Sequence, residues 1–183
     1  YGLLIGFESL NADNLKQMGK AMPPRRSEWS ALLREIRRAG IKVYATFIFG
    51  YDSDDRSTIR ETLDFANREK FFLAAFNHLV PFPNTALYQQ LLREGRLIHP
   101  EWWKDPAYRY GEFAFSPKRM SPQEFARECF QARKEFYSWP SILRRATDLN
   151  ANCRGRDILD HFSINLLLKK EVGQKFGFGL GKV

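Results

Sequence analysis

In the stretch LLIGFES, residues 3–9, an apolar run of Leu3, Leu4, Ile5 and Phe7 closes on a carboxylate and a hydroxyl, Glu8 and Ser9. An acid at the end of such a strand either faces a ligand or pairs with a neighbouring helix. The strand-end position favours a ligand, because parallel sheets and barrels bind at the carboxyl ends of their strands. Two further apolar runs end on polar groups. IKVYATFIF stops at Gly50, Tyr51 and Asp52, and FFLAAFNHLVPFP carries Asn77 and His78 ahead of its prolines. Polar groups at three successive strand ends can converge on one site. Alternation along the strand puts Asn77 and His78 on opposite faces, so one of the two is a substrate-side candidate and the other faces the core. Asp52, Asp54 and Asp55 suit metal ligation or the start of the following helix; capping is favoured, since a helix N-terminus attracts acids. Cys129 and Cys153 lie far apart, with no disulfide framework or metal-ligand spacing.

The elements that must position these groups alternate. LLIGFES reads as a short buried strand. Asn11 suits the N-cap of a short helix carrying Leu15 and Met18, which PPRR at 23–26 interrupts. Trp29, Leu32, Leu33 and Ile36 recur at i, i+3, i+4 and i+7, one buried helical face, with Gly40 at its C′ position and Arg37 and Arg38 near its negative end. Residues 42–49 are β-branched and aromatic, a strand ended by Gly50. RSTIRETLDFANREK is helical, with Ile59, Leu63 and Ala66 on one face. FFLAAFNHLVPFP, 71–83, is a third strand running into a Pro-bounded turn, and TALYQQLLREG is a helix with a Gly stop. Each crossover is long enough for parallel strands, and the strands are apolar on both faces, as buried parallel strands are. The fold class is α/β, three parallel βα units.

From about residue 97 the pattern changes. HPEWWKDPAYRYGEFAFSPKRM is aromatic and aperiodic, and Trp102, Trp103, Tyr108 and Tyr110 read as packing that joins this part to the strands. Ser121-Pro122-Gln123-Glu124 is a capping box with Pro at the first helical position. The helix it opens carries Phe125, Cys129, Ala132 and Phe136 on one face, and Pro140 is expected to kink or end it. NANCRGR is a loop, a last helix starts at about 157, and the FGFGLGK tail is expected to fray. The boundaries are residues 1–96 for the βα part and 97–183 for a mainly helical extension.

With 183 residues, 44% apolar, the chain can bury one sizeable core, and 27% charge excludes global disorder. The net charge of +8 is uneven: residues 1–95 carry 13 Lys/Arg against 11 Asp/Glu, residues 96–183 carry 16 against 10. A basic second half could meet RNA, an acidic lipid surface or an anionic substrate, or be a solvated face. The apolar run at 158–168 contains Asp160 and His161 and is too short to span a bilayer, so no transmembrane segment is expected. It could lie on a membrane surface beside Lys169 and Lys170, a peripheral contact. A reducing, cytoplasmic setting is the default for two distant cysteines.

GFES, Lys20 twelve residues beyond Glu8, FIFGYDSDD and NHLVPFPNTALY together resemble the second half of a radical S-adenosylmethionine enzyme. More narrowly, they resemble the branch that carries a cobalamin-binding domain ahead of the radical domain and often a helical C-terminal extension. The resemblance covers most of the chain, most strongly residues 2–95. It implies the last three βα units of a TIM-type barrel. It implies that Glu8, assisted by Ser9, accepts hydrogen bonds from the ribose hydroxyls of S-adenosylmethionine, and that Lys20 meets the methionine carboxylate. Ile48 and Gly50 would contact adenine, Gly50 allowing close backbone approach. The implied cofactors are S-adenosylmethionine, a 4Fe–4S cluster and, in this branch, cobalamin. The implied chemistry is reductive cleavage of S-adenosylmethionine to a 5′-deoxyadenosyl radical, often followed by methyl transfer to carbon. The chain departs from the pattern at Thr46 and Ser53, where a Gly and an acid are commoner, and at Asn84 in PFPNT, where Asn keeps access to the left-handed conformation that Gly supplies. The cluster-binding Cys-x3-Cys-x2-Cys loop is absent, so the chain reads as a C-terminal fragment, inactive alone. The expected substrate is a small molecule or lipid, with RNA also fitting. The alternatives are a basic RNA-binding module and a non-catalytic scaffold.

Overall fold

The computed structural model describes residues 2–20, 26–175 and 177–179. The interruption expected at PPRR falls largely outside them. The chain runs β1 (Gly2–Glu8), α1 (Ala12–Gln17), α2 (Arg26–Arg38), β2 (Lys42–Phe49), α3 (Arg56–Arg68), β3 (Leu73–His78), α4 (Ala86–Arg93), α5 (Pro122–Phe136), α6 (Trp139–Ala146) and α7 (Asp157–Lys175). The three strands are parallel in the order β1-β2-β3, so the α/β reading and its three βα units hold. They form an open sheet among the described residues.

Alternation along the strands separates two faces. Val43, Ala45, Phe47 and Phe49 of β2 and Ala74 and Phe76 of β3 are buried with Leu33, Leu63 and Phe125 from the helices. The rings of Phe7, Phe47 and Phe76 stack across the three strands, 5.5 and 5.7 Å apart. Each such buried ring contributes roughly 1.5–3 kcal/mol. The opposite face carries Tyr44, Thr46, Ile48, Ala75 and Asn77, none of them buried.

β1 departs from the buried strand expected. Phe7 is buried, but Leu3 and Leu4 are 44% and 67% exposed. β1 is an edge of this sheet, with β2 as its one strand neighbour among the described residues. The far edge, β3, is covered by side chains of the extension. Tyr137 Oη donates to Ala74 O and accepts from Ala74 N, and Arg133 Nε donates to Phe76 O. Arg145, fully buried, donates to Phe71 O, Phe72 O, Phe136 O and Asn165 Oδ1, with its guanidinium 3.9 Å from the Phe136 ring centroid. Each of those carbonyls would cost about 1–3 kcal/mol if left buried and unpaired. α5 and α6, with Tyr137 between them, therefore cover the sheet edge where another strand would otherwise have to pair.

Local signals place most boundaries. Asn11 caps α1, Asp55 and Ser121 form capping boxes at α3 and α5, and Thr85 caps α4. Three expectations are corrected. β3 ends at His78 rather than running to 83: Leu79 N still donates to Phe49 O, but Pro81 and Pro83 have no N–H to continue. Pro140 neither kinks nor ends α5, which stops at Phe136; it opens α6, where a missing N–H costs nothing. The described part of the Gly-rich tail is paired, Gly177 N donating to Tyr110 O and Tyr110 N to Phe178 O.

Candidate functional site

β1 ends on a strained turn. Ser9 N donates to Phe7 O at 2.7 Å, which makes Glu8 the centre of a three-residue turn with φ 61. Non-glycine residues rarely adopt this, at a cost of order 1 kcal/mol or more. A register shift between Gly6 and Glu8 accompanies it. The carboxylate folds back over Gly6: a Cβ on that glycine would stand 2.8 Å from Glu8 Oε1 and 3.7 Å from Thr46 Oγ1. Gly6 thus leaves the space that the Glu8 carboxylate occupies beside Thr46.

Lys20 reaches the same point from α1. Gly19, with φ 69, follows the helix; its N–H donates to Lys16 O and that of Lys20 to Leu15 O. This Schellman turn directs Lys20 back to β1. Its Nζ lies 3.2 Å from Glu8 Oε1, with the two side chains 48% and 22% exposed. One carboxylate and one ammonium, both open to solvent, therefore stand together at the first strand end.

A buried polar network ties this end to the second. Asn14, fully buried, donates to Asp54 Oδ1 at 2.6 Å and to Ser9 Oγ at 3.4 Å, and accepts from Ser53 N. Asp54 Oδ2 accepts from the backbone N–H groups of Gly50 and Tyr51. Ser9 Oγ also accepts from Asn11 N, so this buried hydroxyl is turned into the scaffold. Burial pushes the Asp54 carboxyl up, partly offset by the hydrogen bonds from Gly50, Tyr51 and Asn14. Burial, then the Glu8 and Asp54 charges, push the Tyr51 phenol up. Gln17 exchanges hydrogen bonds with Asp52, whose carboxylate also meets Arg96 and Lys118. Capping holds for Asp55, while Asp54 clamps the turn and Asp52 forms ion pairs.

Ile48 is half-buried on the open face beside Asn77, its register partner. Gly50 has φ 123, and a Cβ there would meet Phe113 Cε1 at 2.9 Å and Leu79 Cβ at 3.1 Å. Its close approach is to the extension. The Asn77 and His78 alternatives separate: Asn77 is exposed on the open face, whereas the His78 ring packs on Phe113 with centroids 5.2 Å apart. Burial and the Arg133 charge push His78 down to about 4, so it is neutral at pH 7. The aromatic segment packs only in part: Tyr108 is buried, Trp102 Nε1 donates to Pro81 O and its ring meets Phe82 and Tyr108, whereas Trp103 and Tyr110 are exposed. Sequence reasoning missed Asn14, Gln17 and the role of Gly6. Only Gly6 carried a signal, a lone glycine inside a strand.

No family model matches the chain. It is 30% identical over 141 residues to bacteriochlorophyllide d C-12(1)-methyltransferase of Chlorobaculum tepidum, a match covering 77% of this chain and 30% of that protein. It is 24% identical over 143 residues to bacteriochlorophyllide d C-8(2)-methyltransferase of the same organism, covering 78% and 31%. It is 35% identical over 69 residues to hopanoid C-2 methylase of Rhodopseudomonas palustris, covering 38% and 13%. The chain is a relative of these methyltransferases. It resembles the C-terminal portion of a radical S-adenosylmethionine protein of the cobalamin-binding branch. The chain spans about 30% of the length of the first two of these curated relatives.

Among the described residues of this methyltransferase relative, the Glu8–Lys20 pair fits S-adenosylmethionine: an acceptor for hydroxyls and a donor for a carboxylate at one strand end. An iron–sulfur cluster does not fit them. Cys129 and Cys153 are buried, burial pushes the Cys129 thiol up to about 12, and no group of three or more His, Cys, Asp or Glu could hold a metal. Nor is an unengaged imidazole offered to cobalt: His78 packs on Phe113, His99 pairs with Asp105, and His161 is fully buried against Ile142 O. Part of the basic excess is committed within the fold. Arg145 is buried, Arg133 bonds Phe76 O, and Arg56 and Arg60 pair with Glu128 and Glu135. No described helix is long and apolar enough to cross a membrane.

Proposed function

We propose that this chain forms the S-adenosylmethionine-binding C-terminal part of a radical S-adenosylmethionine methyltransferase of the cobalamin-binding branch. Its substrate is an organic small molecule or lipid, the class for which the bacteriochlorophyllide and hopanoid relatives are named. The observation that carries this reading is the Glu8 carboxylate, folded over Gly6 at the end of β1 and met there by Lys20.

The chain's own part is binding and placement. Glu8 accepts from the ribose hydroxyls; its strained turn and the Ser9–Asn14–Asp54 network fix where it does so. Lys20, half exposed, turns to the methionine carboxylate. Ile48 supplies an apolar wall on the open face. S-adenosylmethionine, once bound, supplies an activated methyl group and a bond that reductive cleavage can open. The cluster that would deliver the electron and the cobalamin of this branch take their ligands from outside these residues.

The test is the intact protein, purified and reduced anaerobically, incubated with S-adenosylmethionine and assayed for 5′-deoxyadenosine. Production that falls at least about a hundredfold in Glu8→Ala, about 2.7 kcal/mol, is expected. Production unchanged in both Glu8→Ala and Lys20→Ala would sink the reading.

A further inference from the structure

Beside the open sheet face, β3, α5, α7 and the 110 segment enclose a groove of about 270 Å³. Tyr44, Ala75 and Asn77 form its floor, and Tyr110, Phe130 and Leu168 are among its walls. The floor is the same sheet face over which Glu8 folds, two strands away, roughly 10 Å at the usual strand spacing. Arg133 is the only cation among its described lining residues; Glu171, which has a partner of its own, also lines it. The Arg133 guanidinium is fixed through Nε to Phe76 O and lies over the Tyr110 ring, 5.8 Å from the centroid. A guanidinium anchored by one nitrogen keeps its other edge for a second, bidentate partner. Exposed Asn77 adds an amide next to that anchor.

We infer that this groove is the substrate pocket of the proposed site, and that it takes an apolar, ring-bearing carboxylic acid whose carboxylate is held by Arg133. The inference rests on the reading of Glu8 and Lys20 as the cofactor side. Aromatic and aliphatic walls select the ring system by area and stacking, and the fork of Arg133 sets which end of the molecule lies against β3. The acid is thereby laid on the sheet face that carries the cofactor side chains.

The test uses pyrene-1-butyric acid and the corresponding neutral alcohol, pyrene-1-butanol, as fluorescent probes on the intact protein, with S-adenosylmethionine affinity followed separately by equilibrium dialysis. The acid is expected to bind about tenfold more tightly than the alcohol, and Arg133→Gln to abolish that preference. Leu168→Glu, which leaves the Phe76 anchor intact, is expected to weaken the acid more than the alcohol, and serves if Arg133→Gln fails to fold. Equal binding of acid and alcohol, or a preference kept within about twofold in a folded Arg133→Gln or in Leu168→Glu, overturns the inference. Glu8→Gln separates the two readings: it lowers S-adenosylmethionine affinity and leaves the pyrene acid unaffected. A parent protein that binds S-adenosylmethionine but shows no preference for the acid counts against the groove alone.

Discussion

Two residues at the end of β1 show how a local cost can hold a group in place. Glu8 keeps a left-handed backbone, and Gly6 keeps the space its carboxylate needs. Gly6→Ala puts a methyl 2.8 Å from Glu8 Oε1, the movable end of a side chain, so the carboxylate shifts and the strand stays. The expected result is an S-adenosylmethionine affinity lowered at least about tenfold, with a melting temperature within about 4 °C of the parent, the shift expected for under about 1 kcal/mol. Calorimetry on the same samples gives both numbers. His78 makes a second prediction. Its folded pKa, about 4, lies below the unfolded 6.5, so between these values the unfolded chain binds more protons. Stability from this group is present above pH 6.5 and lost as pH falls toward 4, by at most about 3 kcal/mol. His161, also pushed down by burial, acts in the same direction. Urea unfolding at pH 7 and pH 4.5 should show His78→Phe losing less stability than the parent between the two. At this scale the sequence disclosed Glu8, because an acid closing an apolar run is visible in one line. It hid the bond from Asn14 to Asp54, which joins residues 40 apart and has no local signature.

The elements follow from local chemistry wherever one cap or one glycine decides, as at Asn11, Asp55, Ser121 and Gly19. They do not where a neighbour decides. β1 has the composition of a buried strand, yet Leu4 is 67% exposed, because burial depends on what lies alongside and not on the strand itself. The covering of the β3 edge by Tyr137, Arg133 and Arg145 was equally invisible: tyrosine and arginine on a helix read as surface residues. The covering carries a prediction. Tyr137→Phe keeps the ring against Phe136 but leaves the amide and carbonyl of Ala74 without the hydroxyl. It should cost about 1–3 kcal/mol by chemical denaturation and speed hydrogen exchange at Ala74. A variant as stable as the parent would mean that another group pairs this edge.

Taken whole, the chain is one core shared by the βα units and the extension. Phe113, Phe115 and Phe125 from beyond residue 97 pack in the same cluster as Phe47 and Phe76. Phe113 lies against both Gly50 and His78, so the extension backs the second and third strand ends while α1 secures the first. The strand–helix alternation made this architecture legible in outline. The joining of its two parts was legible only as an aromatic-rich stretch, because which ring meets which strand is settled in three dimensions. The charge excess is taken up only in part, by ion pairs and the buried Arg145, while Arg127, Lys134 and Arg144 stay exposed. Under the proposed function, the Glu8–Lys20 pair holds S-adenosylmethionine. The most direct measurement is its binding to the intact protein and to Glu8→Gln and Lys20→Ala, by equilibrium dialysis at low ionic strength. Each variant is expected to bind at least about tenfold more weakly while keeping the parent's circular dichroism, since each removes one charge-assisted bond of about 1.5–3 kcal/mol. Parent-like affinity in both variants would contradict the account.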